Sequence, residues 1–191
     1  MRKLIIACAM LIGANGFAAT NIVDVVSEVQ NNTIIQNIVD GRALDWKVGD
    51  TNNYKMNIGG FMDGTMTMSV RSKTEEGIWV DQDINMMGQK QKAETLFDAN
   101  TGAIKKMLVN GKEQSVPEAN DQEIESVTQE KVTVPAGTFD SLHAVLVSKK
   151  DQSKTDAWVN PQIIPVSGAL KMIAPSQFGK VTMELTSYKK N

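Results

Sequence analysis

The chain has 191 residues, enough for one domain with a real core, and 22 acidic against 20 basic side chains give it a formal net charge of −2. On net charge, so mild an acidity offers no electrostatic case for binding nucleic acid or an anionic membrane. The only cysteine, Cys8, lies so near the N-terminus that no disulfide or zinc–thiolate site is expected in the body of the chain.

The N-terminus reads as a secretory signal peptide. Arg2 and Lys3 form a basic start, Leu4 to Ile12 is apolar, and Gly16-Phe17-Ala18 places small residues at the cleavage positions. The apolar stretch is too short to span a bilayer. Cleavage is expected after Ala18, with Ala19 as the next choice. This leaves residues 19–191 as a single exported domain, periplasmic or secreted. Removing residues 1–18 takes away two positive charges and no negative ones, which moves the net charge to −4. A lipobox reading of Ile-Ile-Ala-Cys8 would strand Leu11-Ile12 after the cut, so it is set aside.

In chain order, Ile22, Val25, Val26 and Val29 recur at helical spacing and suggest a short amphipathic helix within residues 21–38. Asp45 to Asp50 reads as a turn before a strand from Asn53 to Ile58. Strands follow in series. In Phe61 to Arg71, Met62, Met66, Met68 and Val70 point one way, and Asp63, Thr65, Thr67, Ser69 and Arg71 the other. Next, Ile78, Val80, Ile84 and Met86 share a face with the polar Gln82 between them. Gln89 to Phe97 returns after Gly88, and Asp98 to Gly102 turns the chain into Ala103 to Val109. Asn110-Gly111 is the strongest hairpin signal in the chain. Pro117 to Asp121 is a polar loop between like strands, not a domain linker.

The region from Val132 to Val147 is the most informative. Val134-Pro-Ala-Gly137 fits a type I turn with Pro135 preset and Gly137 in a left-handed bulge. It joins strands Ser126–Thr133 and Phe139–Val147. A Trp158 strand follows, then Ile163 to Met172, read as one helical turn or an edge-covering loop, and a last strand from Lys180 to Tyr188. Eight to ten short strands without a βαβ rhythm indicate an antiparallel all-β or α+β domain.

Val134-Pro-Ala-Gly-Thr-Phe-Asp140, Trp158-Val-Asn-Pro161, Pro165-Val-Ser-Gly-Ala-Leu-Lys171 and the closing Leu185-Thr-Ser-Tyr188 together resemble a group of uncharacterised bacterial secreted domains allied to the lipoprotein carriers LolA and LolB. In that group the turn is likewise followed by a Trp strand and a Pro-Gly stretch. The resemblance implies an α+β, mostly antiparallel fold: a curved incomplete barrel with one or two short helices against its concave side and an apolar cavity within.

Methionine is the compositional oddity, with 11 in the chain. The Met62, Met66 and Met68 face admits three readings: core packing, a cavity for loosely specified apolar ligands, and soft-metal binding. No second thioether cluster supports the last, and no metal or other cofactor is expected. The candidate cavity residues are Met62, Met66, Met68, Val70, Ile78, Val80, Ile84 and Met86. The single histidine, His143, lies on a strand face with Phe139, Val145 and Val147, and no nucleophile motif accompanies it. Asp81 and Asp83 share a face with Trp79, which could form a sugar-binding ledge, but a glycosidase pair would also need a cleft. Gly59-Gly60 lacks the strand-to-helix context of a phosphate loop. The expected function is therefore a non-enzymatic envelope protein that binds a lipid or a lipidated protein. A structural or interaction module with a filled core is the second reading.

Overall fold

The computed structural model describes residues 44–116, 122–176 and 178–191. They form one antiparallel sheet of eleven strands: β1 (Thr51–Ile58), β2 (Met62–Thr74), β3 (Gly77–Met86), β4 (Gln89–Phe97), β5 (Ile104–Val109), β6 (Lys112–Gln114), β7 (Gln122–Val134), β8 (Gly137–Ser148), β9 (Lys154–Val159), β10 (Ala169–Ser176) and β11 (Gly179–Lys189). The order across the sheet is β6-β5-β4-β3-β2-β1-β11-β10-β9-β8-β7. Strands β1 to β6 step outward in one direction, β7 to β11 step inward from the far edge, and β11 closes against β1. Short turns make this possible. At Asn110-Gly111 both residues have positive φ (50° and 77°), the backbone that matches the twist of the flanking strands.

One face of the sheet carries the core. Tyr54, Met56 and Ile58 of β1 lie beside Leu185, Met183 and Val181 of β11, and the same face continues through Met172 and Ala174 of β10. The sheet curls on itself. Ala136, at the tip of the β7–β8 hairpin, donates its N–H to Leu185 O of β11, three places along the sheet, at 3.0 Å. Val132 and Val134 thereby join the main core. A second, smaller cluster of Ala144, Leu146, Ala157 and Val159 fills the β8–β9 side.

The β9–β10 connection plugs this face. Ile164, Val166 and Leu170 are buried, and the fully buried Asn52 holds the loop by its side chain. Its Nδ2 donates to Pro165 O at 2.6 Å and to Val166 O at 2.7 Å, and lies 3.1 Å from Tyr54 Oη. Tyr54 Oη in turn donates to Ala169 O at 3.1 Å. Val166, Ser167 and Gly168 all take left-handed backbones (φ 40°, 71° and 67°), a conformation a β-branched valine adopts only at a cost. A side chain at Gly168 would place its Cβ 2.8 Å from Pro161 Cα, so the backbones meet there only because it is glycine.

These observations correct the α+β expectation: the described residues form an all-β open antiparallel sheet with no helix. Within Ile163 to Met172, the three left-handed residues rule out a helical turn, and Ala169 onward is strand β10 between β9 and β11, not an edge cover. The helix expected within residues 21–38, the signal peptide and the loop from Pro117 to Asp121 lie outside the described residues. At the Val134–Gly137 turn the loop is two residues, Pro135-Ala136. Gly137 opens β8 directly opposite Val134 with φ 140°: the backbone favours glycine, but the left-handed bulge expected there is absent, because the two strands pair in register up to the loop.

Two measurements test this description. Gly137→Val is expected to cost roughly 1–3 kcal/mol in denaturant unfolding, because a β-branched residue strains at that φ; an unchanged midpoint would remove the turn's conformational requirement. Burial pushes the Tyr54 hydroxyl up from 10.0 to about 12, with hydrogen bonds to Ser167 and Asn52 partly opposing it. Its folded pKa is raised, so the native state holds a proton that the unfolded chain loses. That contribution to stability is complete below pH 10 and is lost as pH rises from 10 to about 12. Tyr54→Phe should flatten the alkaline unfolding curve across that window.

Candidate functional site

The eight residues named from the sequence do come together. Antiparallel register places Met66 between Tyr54 and Ile84, Val70 opposite Val80, and Met62 opposite Ile58. All eight belong to the main core, none more than 8% exposed. The methionine enrichment is interior: Met56, Met107, Met172 and Met183 are buried as well, and only Met87 among those past the N-terminal segment is exposed. Long unbranched thioethers suit a curved single sheet, whose inner spacing varies along the strands.

Two carboxamide side chains interrupt this face. Gln82 and Asn52 lie in one row across three strands, each directly opposite Met68. Both are 0% exposed. Neither the Oε1 nor the Nε2 of Gln82 has a hydrogen-bond partner, and the Oδ1 of Asn52 has none either. Two strand spacings separate the pair, about 10 Å across Met68. Carboxamide atoms enclosed without partners cost about 1–3 kcal/mol on mutational scales. The row of Asn52, Met68 and Gln82 is therefore the place on the inner face where polar valence is left open. Gln82 was legible as a polar residue at an apolar position, whereas Asn52 preceded the strand as read from sequence. Gln82→Met, nearly isosteric and apolar, is expected to raise the unfolding free energy of the purified protein by about 1–3 kcal/mol; a loss of stability would mean that the amide is satisfied.

The outer face is charged and internally paired. Asp81 lies 3.2 Å from Arg71 and 2.9 Å from Lys92, and Arg71 also bonds Glu94 while its guanidinium sits 5.0 Å from the Trp79 ring centroid. The hydrogen bond that the Lys92 ammonium donates to Asp81 holds it above its ordinary range. Asp81 is thus part of an ion-pair network that covers the Trp79 ring. On β8 and β9, His143 stacks on Trp158 at 4.2 Å between centroids. Its ring nitrogens face Asp156 at 2.9 Å and Glu130 at 3.3 Å, and Trp158 Nε1 donates to Glu130. Both His143 nitrogens are occupied by carboxylates. An open groove of about 550 Å³ lies beside this cluster, lined by Glu130, Lys131, Asp140, Leu142 and Asn160 among others; none of the eight residues lines it. Among the described residues no group of three His, Cys, Asp or Glu side chains is placed to hold a metal ion.

No family model and no curated protein matches the chain. Solved structures do. A protein designated as exported, with a YmcC-like fold, from Bacteroides fragilis aligns over 78% of this chain and 99% of its own at 13% identity and a TM-score of 0.41. A protein designated a lipoprotein from Parabacteroides distasonis covers the same shares at 14% and 0.40. A hypothetical protein from Chlamydia trachomatis aligns over 85% and 92% at 8% and 0.43. None of the three carries LolA or LolB in its description, so the relationship suggested by the Val-Pro-Ala-Gly motif stays a sequence resemblance. At these scores the fold assignment rests on the strands themselves.

Proposed function

We propose that this chain is a non-enzymatic envelope protein that binds a long apolar ligand, a lipid or the acyl chain of a lipidated protein, against its methionine face. The observation that carries the reading is the unpartnered Gln82 amide, enclosed among Met68, Val80, Ile84 and Ala93 with Asn52 in the same row. Binding sites for apolar ligands pair a mostly apolar lining with a few convergent polar groups that fix orientation. An amide presents one acceptor and two donors, which suits the ester, amide or carboxyl head of an acyl chain. Methionine side chains rearrange at low cost, so a closed inner face can part around a chain of unfixed length. The signal sequence supports an envelope location for such a protein.

The close packing of the eight apolar side chains favours the second reading, an interaction module with a filled core. Fluorescent fatty acids of increasing length separate the two. Under the binding reading affinity rises by about 0.8 kcal/mol per methylene until the space is full, with little dependence on salt. Gln82→Met should weaken binding while stabilising the empty protein. A folded protein that binds no probe, or binds all lengths equally, would leave the filled-core reading.

A further inference from the structure

Successive antiparallel strands reverse at alternate ends, so five turns share one end of the sheet. Across it, in order, lie Asn110-Gly111, Met87-Gly88, Gly59-Gly60-Phe61, the β10–β11 turn ending in Phe178, and the turn from Lys149 to Ser153. The three central tips present large apolar side chains to solvent: Met87 and Phe61 are each 68% exposed and Phe178 is 38% exposed. Phe61 and Phe178 are neighbours. A Cβ built on Gly59 would lie 2.6 Å from Phe61 Cε1 and 2.3 Å from Phe178 O. Ile58, Met62 and Met86 close the core immediately behind them.

Lysines surround these tips. Lys90 and Lys180 are the second residues of the strands that follow the Met87 and Phe178 turns, and Lys112 and Lys150 stand at the two outer turns. Among the described residues none of the four forms an ion pair, whereas Lys149 at the same end pairs with Glu123. The carboxylates nearby are engaged: Asp63 accepts from Asn57, Asp151 from Ser153, and Glu113 pairs with Lys106. Apolar side chains at the centre of a rim with free ammonium groups around them match a bilayer surface, where acyl chains lie beneath anionic phosphates.

We propose that this end of the sheet docks on an anionic lipid surface, with Phe61, Met87 and Phe178 entering the acyl boundary and Lys90, Lys112, Lys150 and Lys180 meeting the phosphates. The surface borders the methionine face at Met62 and Met86 but does not depend on ligand binding there. Flotation of the purified secreted chain with phosphatidylcholine vesicles, with and without one quarter phosphatidylglycerol, tests it. Expected are binding to the anionic vesicles, weakening as salt rises, and at least a tenfold loss of affinity in Phe61→Ser/Met87→Ser. Both side chains are exposed, and circular dichroism checks that the variant is folded. Lys150→Glu/Lys180→Glu should remove most of the preference for anionic vesicles. The proposal is overturned by a folded wild-type chain that stays with neither vesicle, or by binding that the Phe61→Ser/Met87→Ser change leaves intact. It is also overturned if sedimentation without lipid shows that the same two side chains hold a dimer.

Discussion

The carboxamide of Asn52 grips the chain 113 and 114 residues away, at Pro165 O and Val166 O, from a position with no solvent exposure. Much of the interior depends on that grip. A single sheet has one apolar face and, among the described residues, no second sheet to cover it, so loops and curvature must do the covering. The β9–β10 loop does so only by taking left-handed backbones at Val166 and Ser167, which the loop would not hold by itself. Hydrogen bonds from Asn52 and Tyr54 offset that strain, and Ile164, Val166 and Leu170 then enter the core. At the other side of the face, the Ala136 N–H to Leu185 O bond fixes how far the sheet curls.

Such an interior imposes its own composition. Strands that curl bring their inner faces to unequal distances, and rigid β-branched side chains cannot fill every gap. Methionine can, which accounts physically for its enrichment on β1, β2, β3, β10 and β11. The enclosed Gln82 amide runs against that economy. An unmatched donor and acceptor enclosed beside flexible thioethers departs from the rule that buried polar groups are hydrogen-bonded.

Legibility differed between the two faces of the sheet. Apolar alternation in β2 and β3 identified all eight inner residues, because a period of two leaves no choice of side once one face is buried. The partners on the outer face could not be read. His143 meets Glu130 and Asp156 only because β7, β8 and β9 lie side by side in one register, which places Trp158 directly opposite it. Strand β10 was hidden for a local reason. Pro165 and Gly168 precede it and Pro175 lies within it, which together look like a loop, and only pairing with β9 and β11 makes Ala169–Ser176 extended.

The amino-acid sequence by itself determined most of the strands, their turns at Asn110-Gly111 and Pro135-Ala136, and the apolar face, since each of these is a short-range property of alternation and φ preference. Tertiary structure alone decided how the strands are ordered, with β11 closing on β1 and the two edges falling at β6 and β7. It also decided that Asn52 and Gln82 share a row across Met68, and that Phe61, Met87 and Phe178 share one end. The physical reason is common to all of these. They depend on which backbone hydrogen bonds with which over long sequence separation, and the edge of an isolated strand accepts any partner until curvature and core packing select one.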